Sequence, residues 1–300
     1  MMISPAAGLS PQVTRERSVA DLLGWARGLF EPAARRWVDS LGPKSRLVTG
    51  YQLGWWDASG TPAKGSQALR PALVLLCAKA VGGTAEDAVP AAVGAEFVHA
   101  FSLMHDDVMD KDPMRRHRAG NPAAWTVFGT PATFAAADEL MSLAFEGFFR
   151  HSENLDTACA AAAVLGQAVA RVARGQALDL AFEHTDAVTI EQCLSMEADK
   201  TASLLAAATR LGALYGGATH EAADRLTAFG EHLGRASALA EQAEGLDWAR
   251  QCASWHLRSA LAQLRKQSAH TDHPTARTAS AELGALARFA VSRACRGPGA

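Results

Sequence analysis

Residues 157–183 read TACAAAAVLGQAVARVARGQALDLAFE, and no other stretch limits the fold as strongly. Alanine gives up no side-chain entropy in a helix, and the larger apolar residues recur at three- and four-residue spacing. A helix with so little side-chain bulk packs closely against its neighbours, as in an all-helical core. The same period runs through most of the chain. Alternating β patterns are scarce, and only two tyrosines occur. The spacing predicts helices near residues 15–40, 66–82, 87–112, 132–150, 155–184, 190–216, 220–244, 246–267 and 277–294. Glycine and proline mark the joints: Gly82-Gly83, Pro122, Pro131, Gly216-Gly217 and Pro274. The polar segment KQSAHTDHPTARTAS reads as a surface loop, and no internal repeat is visible.

With 300 residues, 49% of them hydrophobic, the chain can bury a sizeable core. A net charge of −2 argues neither for nor against a nucleic-acid partner. The cysteines (Cys77, Cys159, Cys193, Cys252, Cys295) are odd in number and scattered, with no CxxC pair. Neither a disulfide framework nor a zinc site is indicated, and reduced thiols in a cytoplasmic protein are the simpler expectation. No uninterrupted apolar run approaches the roughly 20 residues of a membrane span. The segment MMISPAAGLSPQVTRERS lacks the apolar centre of a secretory signal.

Chemistry concentrates in SLMHDDVMDKDPMRRHR, residues 102–118. Within a helix, Asp106 and Asp110 are four apart and Asp107 is three from Asp110, so the three carboxylates lie near one face and repel each other. A cation would relieve that repulsion, and hard oxygen ligands suit Mg²⁺, which takes one or two protein carboxylates and completes its shell with water and phosphate oxygens. Arg115 and Arg116 follow directly and can fork onto phosphate. The segment therefore reads as a Mg²⁺-bridged diphosphate site. The same spacing also suits a solvated acidic helix end capped by a basic loop. Other segments bear on the choice. ALRPALVLLCAKAVGG carries Arg70. His99 lies seven residues before Asp106, about two turns. Gln176, Asp179 and Glu183 form one helical stripe, and Lys200-Thr201 precedes an apolar run.

In this order, these segments resemble the trans-isoprenyl diphosphate synthases, or polyprenyl synthetases, with the bacterial geranylgeranyl type nearest. The resemblance runs from about Arg46 to His232 through GYQLGWWD, ALRPALVLL, HAFSLMHDDVMD, RRHR, AAWTVFGTP, GQALDLAFE and KTA. It resumes in WHLRSALAQL and ELGALARFAV. It implies one all-α bundle with a deep central pocket. By position, Asp106, Asp107 and Asp110 become metal ligands for Mg²⁺, and Arg115 holds an allylic prenyl diphosphate. Arg116, Arg70 and His99 hold isopentenyl diphosphate. Lys200 contacts the allylic diphosphate and Thr201 the developing cation, while Gln176 and Asp179 line the site. Phe101, five residues before Asp106, stands where an aromatic floor limits product length, which points to a chain near twenty carbons.

The sequence departs from that family at two places. The resemblance leads one to expect a lysine three residues before Arg70. Gln67 stands there, with Lys64 nearby but out of register. A second aspartate-rich motif is expected after FGEHLGRA. Here Glu241 and Gln242 take the places of its leading aspartates, and Ser237-Ala238 precede them. The expectation is a single domain over residues 1–300, shortened after about residue 240 and lacking that motif, with Glu241 and Glu244 as solvated side chains. Three functions fit: a prenyltransferase joining an allylic diphosphate to isopentenyl diphosphate or another acceptor; a class I terpene cyclase that ionises the same substrate; and a subunit of a heteromeric synthase. The resemblance also implies pairing, as a homodimer or with a complete synthase. AFEGFF at 144–149 adds a reason, since it is more apolar than a solvated helix should be.

Overall fold

The computed structural model describes residues 17–295 apart from 64, 66, 115–120, 152–153, 186 and 244–245. It is all-α: twelve α-helices and one π-helical turn, with no strand among the described residues and two isolated bridges, Trp56 to Pro62 and Met114 to Pro122. In chain order the helices are α1 (Val19–Val38), α2 (Pro43–Leu53), α3 (Leu69–Ala80), α4 (Val89–Met109), α5 (Ala124–Phe128), α6 (Thr130–Arg150), α7 (Leu155–Phe182), α8 (Ile190–Glu197), α9 (Ser203–Tyr215), α10 (His220–Glu241), α11 (Asp247–Ala269) and α12 (Pro274–Ala294). The π-turn, Ala198–Ala202, joins α8 to α9.

Local chemistry sets the helix starts. Ser18 and Asp21 form a reciprocal capping box at α1, and Thr189 with Gln192 repeats it at α8. Asn154 and Thr219 cap α7 and α10 through their side-chain oxygens. Proline occupies the first turn of α2, α4, α6 and α12, where no N–H is missed. α3 and α4 form the centre. Every residue from Pro71 to Ala78 is buried, as are Ala91 to Val98. α1, α9 and α12 pack around α3, α6 packs on α4, and α10 lies between α9 and α11. Phe97, Phe148 and Phe229 are fully enclosed, and each such side chain is worth about 1.5–3 kcal/mol relative to exposure.

The structure differs from the sequence expectation at three places. Helices α2 and α5 were not predicted. α2 buries six consecutive residues, Val48–Leu53, so it has no polar face to reveal it. The polar segment 266–280 is mostly helix, interrupted only at 270–273. Most of its polar residues lie outward, while Gln267, Ala276, Ala279 and Ser280 turn inward. The continuous helix expected over 190–216 is broken by the π-turn. α7 is long and apolar enough to pass the test for a membrane span, with an 18-residue window of mean hydropathy 1.3 and only 22% of that window buried. Gln167, Arg171 and Arg174 interrupt it, so the expectation that no apolar run reaches that length stands.

Candidate active site

The last turns of α4 deliver the acidic cluster. Asp106 and Asp107 sit in the final turn, and Asp110 is the residue that ends the helix. Carboxylates there oppose the helix dipole, whose C-terminal end is already negative. The fold meets that cost with partners from two other elements. Asp110 Oδ1 accepts a 2.9 Å hydrogen bond from Nε2 of Gln176 on α7. Asp106 Oδ1 lies 3.0 Å from Lys200 Nζ on the π-turn, which also donates to Asp179 Oδ2 at 2.6 Å. Asp107 is buried. Burial alone would lower the Lys200 pKa, but the bond to Asp179 and the Asp106 charge outweigh it and hold the ammonium above its ordinary value.

The π-turn puts Lys200 within that reach. Such bulges recur at functional sites. Two close approaches clamp this one: a Cβ on Gly175 of α7 would lie 2.6 Å from the Lys200 nitrogen, and one on Gly234 of α10 would lie 2.4 Å from the Ala202 Cα. Asp199, beside Lys200, is held from the other side by Arg171 Nε at 2.8 Å and Arg174 Nε at 2.7 Å. Burial opposes ionisation of Asp199, but the two guanidinium bonds win and lower its pKa. Arg171 also reaches Glu231 of α10.

The other candidates fall in three groups. Arg70, in the first turn of α3, is surrounded by protein though solvent still reaches it. Burial lowers its pKa, and the carboxylates of Glu96 and Glu241 oppose that shift. His99 lies half-buried on α4. Phe101 is half-buried in a small apolar cluster with Val48, Tyr51, Met104, Ala124, Ala136 and Ala137. Its ring lies 4.4 Å from that of His105, which meets Phe134 of α6 at 4.8 Å. Glu183, expected on the stripe with Gln176 and Asp179, is the exposed residue that follows the last turn of α7. Arg115, Arg116 and Glu244 lie outside the described residues.

Glu241 is exposed, as expected of a solvated side chain. Partial desolvation, then the nearby Glu197, raise its pKa, while Arg70 and Arg293 draw it down. Glu197, on α8, is raised by burial too. Its carboxylate accepts from Gln242 Nε2 at 2.5 Å and from Thr201 Oγ1 at 3.3 Å. A polar chain thus runs from the α4 carboxylates through Lys200, Thr201 and Glu197 toward Glu241 and Arg70. Sequence reasoning missed Arg171, Arg174, Asp199, Glu197 and Arg293. The first three had a readable signal: two arginines three apart on the same helix as Asp179, and an aspartate next to Lys200.

The donor set fits a hard divalent cation. It consists of carboxylate oxygens plus the buried Oε1 of Gln176, which has no hydrogen-bond partner among the described residues. No three His, Cys, Asp or Glu side chains among the described residues already converge on one point. The Lys200 ammonium instead lies between the carboxylates of α4 and α7.

The polyprenyl synthetase family profile matches residues 59–238, ending three residues before Glu241. A (2E,6E)-farnesyl diphosphate synthase of Mycobacterium tuberculosis is 39% identical over 250 residues, 81% of this chain and 67% of that protein. A geranylgeranyl diphosphate synthase of the same organism is 36% identical over 220 residues, 72% of this chain and 61% of that one. Among solved structures, a polyprenyl synthetase from Streptomyces coelicolor A3(2) superposes with a TM-score of 0.79 at 31% identity, covering 91% of this chain and all of that one.

Proposed function

Because this chain belongs to the polyprenyl synthetase family and is, like its named relatives, a prenyltransferase, we propose that it joins an allylic prenyl diphosphate to isopentenyl diphosphate in a magnesium-dependent reaction. One observation carries the reading: three separate elements bring Asp106, Asp179 and Lys200 to one point.

The reaction breaks the bond between the allylic carbon and its diphosphate, forms a carbon–carbon bond to the acceptor and releases a proton. Its demand is electrostatic, because diphosphate departs as an anion and leaves a carbocation. Asp106, Asp107 and Asp110 would hold magnesium. Bound there, the metal would supply the positive charge that neutralises the leaving group. Lys200 offers a permanent cation to the allylic diphosphate. The Thr201 hydroxyl and the buried Gln176 amide oxygen offer dipoles to the cation. Arg171 and Arg174 act through Asp199 to fix where Lys200 stands. Phe101, backed by His105 and Phe134, would form an apolar floor that excludes water from the carbocation and limits chain length. Arg70 and His99 serve the second diphosphate. Arg115 and Arg116 keep the roles that the resemblance implies.

The protein is also proposed to pair through α6 and α7. α7 is apolar yet little buried, and Phe149, at the end of α6, is 47% exposed. Light scattering after gel filtration should report twice the 31.6 kDa chain mass. A clean monomer at micromolar concentration sinks the pairing. The activity is tested with ten-, fifteen- and twenty-carbon allylic diphosphates and Mg²⁺, with and without isopentenyl diphosphate. Elongated diphosphate supports the proposal. Hydrocarbon or alcohol formed without isopentenyl diphosphate points to a terpene cyclase, and silence relieved only by a complete synthase points to a heteromeric subunit.

A further inference from the structure

The segment that leads into α3 and the end of α12 meet at a place that the allylic site does not use. α12 packs against α3, and its last turn carries Arg293, a favourable place for a cation. From there the guanidinium donates through Nη1 to Oε1 of Gln67, across 226 residues of chain. Its field reaches Glu241, as does that of Arg70. Arg70 stands three residues beyond Gln67, and its buried Nε has no hydrogen-bond partner among the described residues. Two guanidinium groups therefore stand near the positive start of α3, with Glu241 as a carboxylate beside them.

The partner Arg293 now has is neutral. An amide oxygen accepts one charge-assisted bond from the guanidinium, whereas a phosphate carries opposite charge and can accept two in parallel. A guanidinium resting on an exposed, uncharged acceptor, with a second one nearby, is placed to transfer to an anion that enters between them. Isopentenyl diphosphate brings several negative charges to the reaction proposed above.

We propose that Arg293 is a binding residue for the diphosphate of the non-allylic substrate, moving from Gln67 onto it and acting with Arg70. The C-terminal helix thereby supplies the cation that position 67 does not. This assignment rests on the prenyltransferase reading, and the following experiment separates the two.

Steady-state kinetics are compared for the full-length wild type, Arg293→Ala, Gln67→Lys and the double variant Arg293→Ala/Gln67→Lys, with thermal unfolding run on each. Arg293→Ala should raise KM for isopentenyl diphosphate about tenfold or more, with KM for the allylic diphosphate changed less than twofold. Gln67→Lys in that background should recover most of the loss, because it returns a cation to the same place. A merely structural role would move both constants together and would not respond to the lysine. Equal change in both constants, no change, or failure of the lysine to recover binding overturns the assignment. If the wild type consumes no isopentenyl diphosphate, the functional reading has failed, and calorimetry with isopentenyl diphosphate decides the inference alone. Binding that Arg293→Ala weakens tenfold keeps the residue's role; no binding by the wild type, or equal binding by both proteins, removes it.

Discussion

Two helix ends carry the acidic chemistry of this molecule, and they are built differently. At the end of α4, Asp106 and Asp110 each touch a partner from another element, Lys200 at 3.0 Å and Gln176 at 2.9 Å. At the end of α10, Glu241 has cations around it, Arg70 and Arg293, that act on it through their fields, and Glu197 lies nearby. Both ends place negative charge where the helix dipole is already negative. At the first the fold has bonded that charge in place. At the second it has left the carboxylate raised, closer to its neutral form. The α4 carboxylates are thus fixed by direct bonds, and Glu241 is influenced by charges at longer range. The α10 end is also where the match to the family profile stops, three residues before Glu241.

That contrast breaks most readily at Asp106. Asp106→Asn should lower turnover by about a hundredfold or more, the scale of losing one preorganised electrostatic contact. The melting temperature should move by no more than about 3 °C, since Lys200 keeps its 2.6 Å partner Asp179. Unchanged turnover in the presence of Mg²⁺ would end the metal-ligand reading of the α4 cluster.

The next effect in size tests the clamp. Gly175→Ala puts a methyl group 2.6 Å from the backbone nitrogen of Lys200, and backbone cannot turn aside as a side chain can. Overpacking of this kind costs about 1–3 kcal/mol. A shift of about 1 Å at a positioning element can cost up to about a hundredfold in rate. Turnover should fall at least tenfold with a lower melting temperature. A fall in stability with full activity would show that the α4 site tolerates a displaced Lys200.

Most of the α4 side was readable from the sequence. Asp106, Asp107 and Asp110 announce themselves by helical spacing and charge repulsion, and Gln176 with Asp179 by one stripe on a helix whose periodicity is plain. The structure brings Asp106, Asp179 and Lys200 together as that reading expected. What was not readable depends on distance along the chain or on irregular backbone. Residues 198–202 carry no signal for a π-turn, because the apolar period passes through them. Arg293 sits in an ordinary amphipathic helix, and nothing local links it to Gln67. α2, whose second half is buried without a break over Val48–Leu53, had no amphipathic pattern to report. Glu241 is the surface glutamate it was read as, but nothing local in the sequence links it to Arg70, Glu197 and Arg293, each on a different element.

α10 also meets α11 through a pH-sensitive contact. His232 and His256 approach at 3.0 Å between their Nδ1 atoms. Burial, then the neighbouring His232 and Arg235, push the His256 pKa down to about 4. A folded-state value below the unfolded one means that the unfolded chain binds the extra proton between about pH 6.5 and 4. Stability should therefore fall as pH drops through that window. His256→Gln should flatten this part of the melting profile. An unchanged slope would place the acid sensitivity elsewhere.

The smallest effect bears most directly on the contrast. The Glu241 pKa is raised, so the fold favours its neutral form. Its contribution is fully present below the unfolded value near 4.5 and is lost as pH rises through the higher folded value. Glu241→Gln keeps the shape and removes the charge. It should match the wild type in melting temperature near pH 4.5 and exceed it at pH 7.5, with turnover reduced less than tenfold. The opposite sign is just as informative. If the variant is less stable at neutral pH, Glu241 is ionised and held by Arg70 and Arg293 as firmly as Asp106 is held by Lys200. If turnover also falls a hundredfold, the two helix ends are equivalent metal-binding halves.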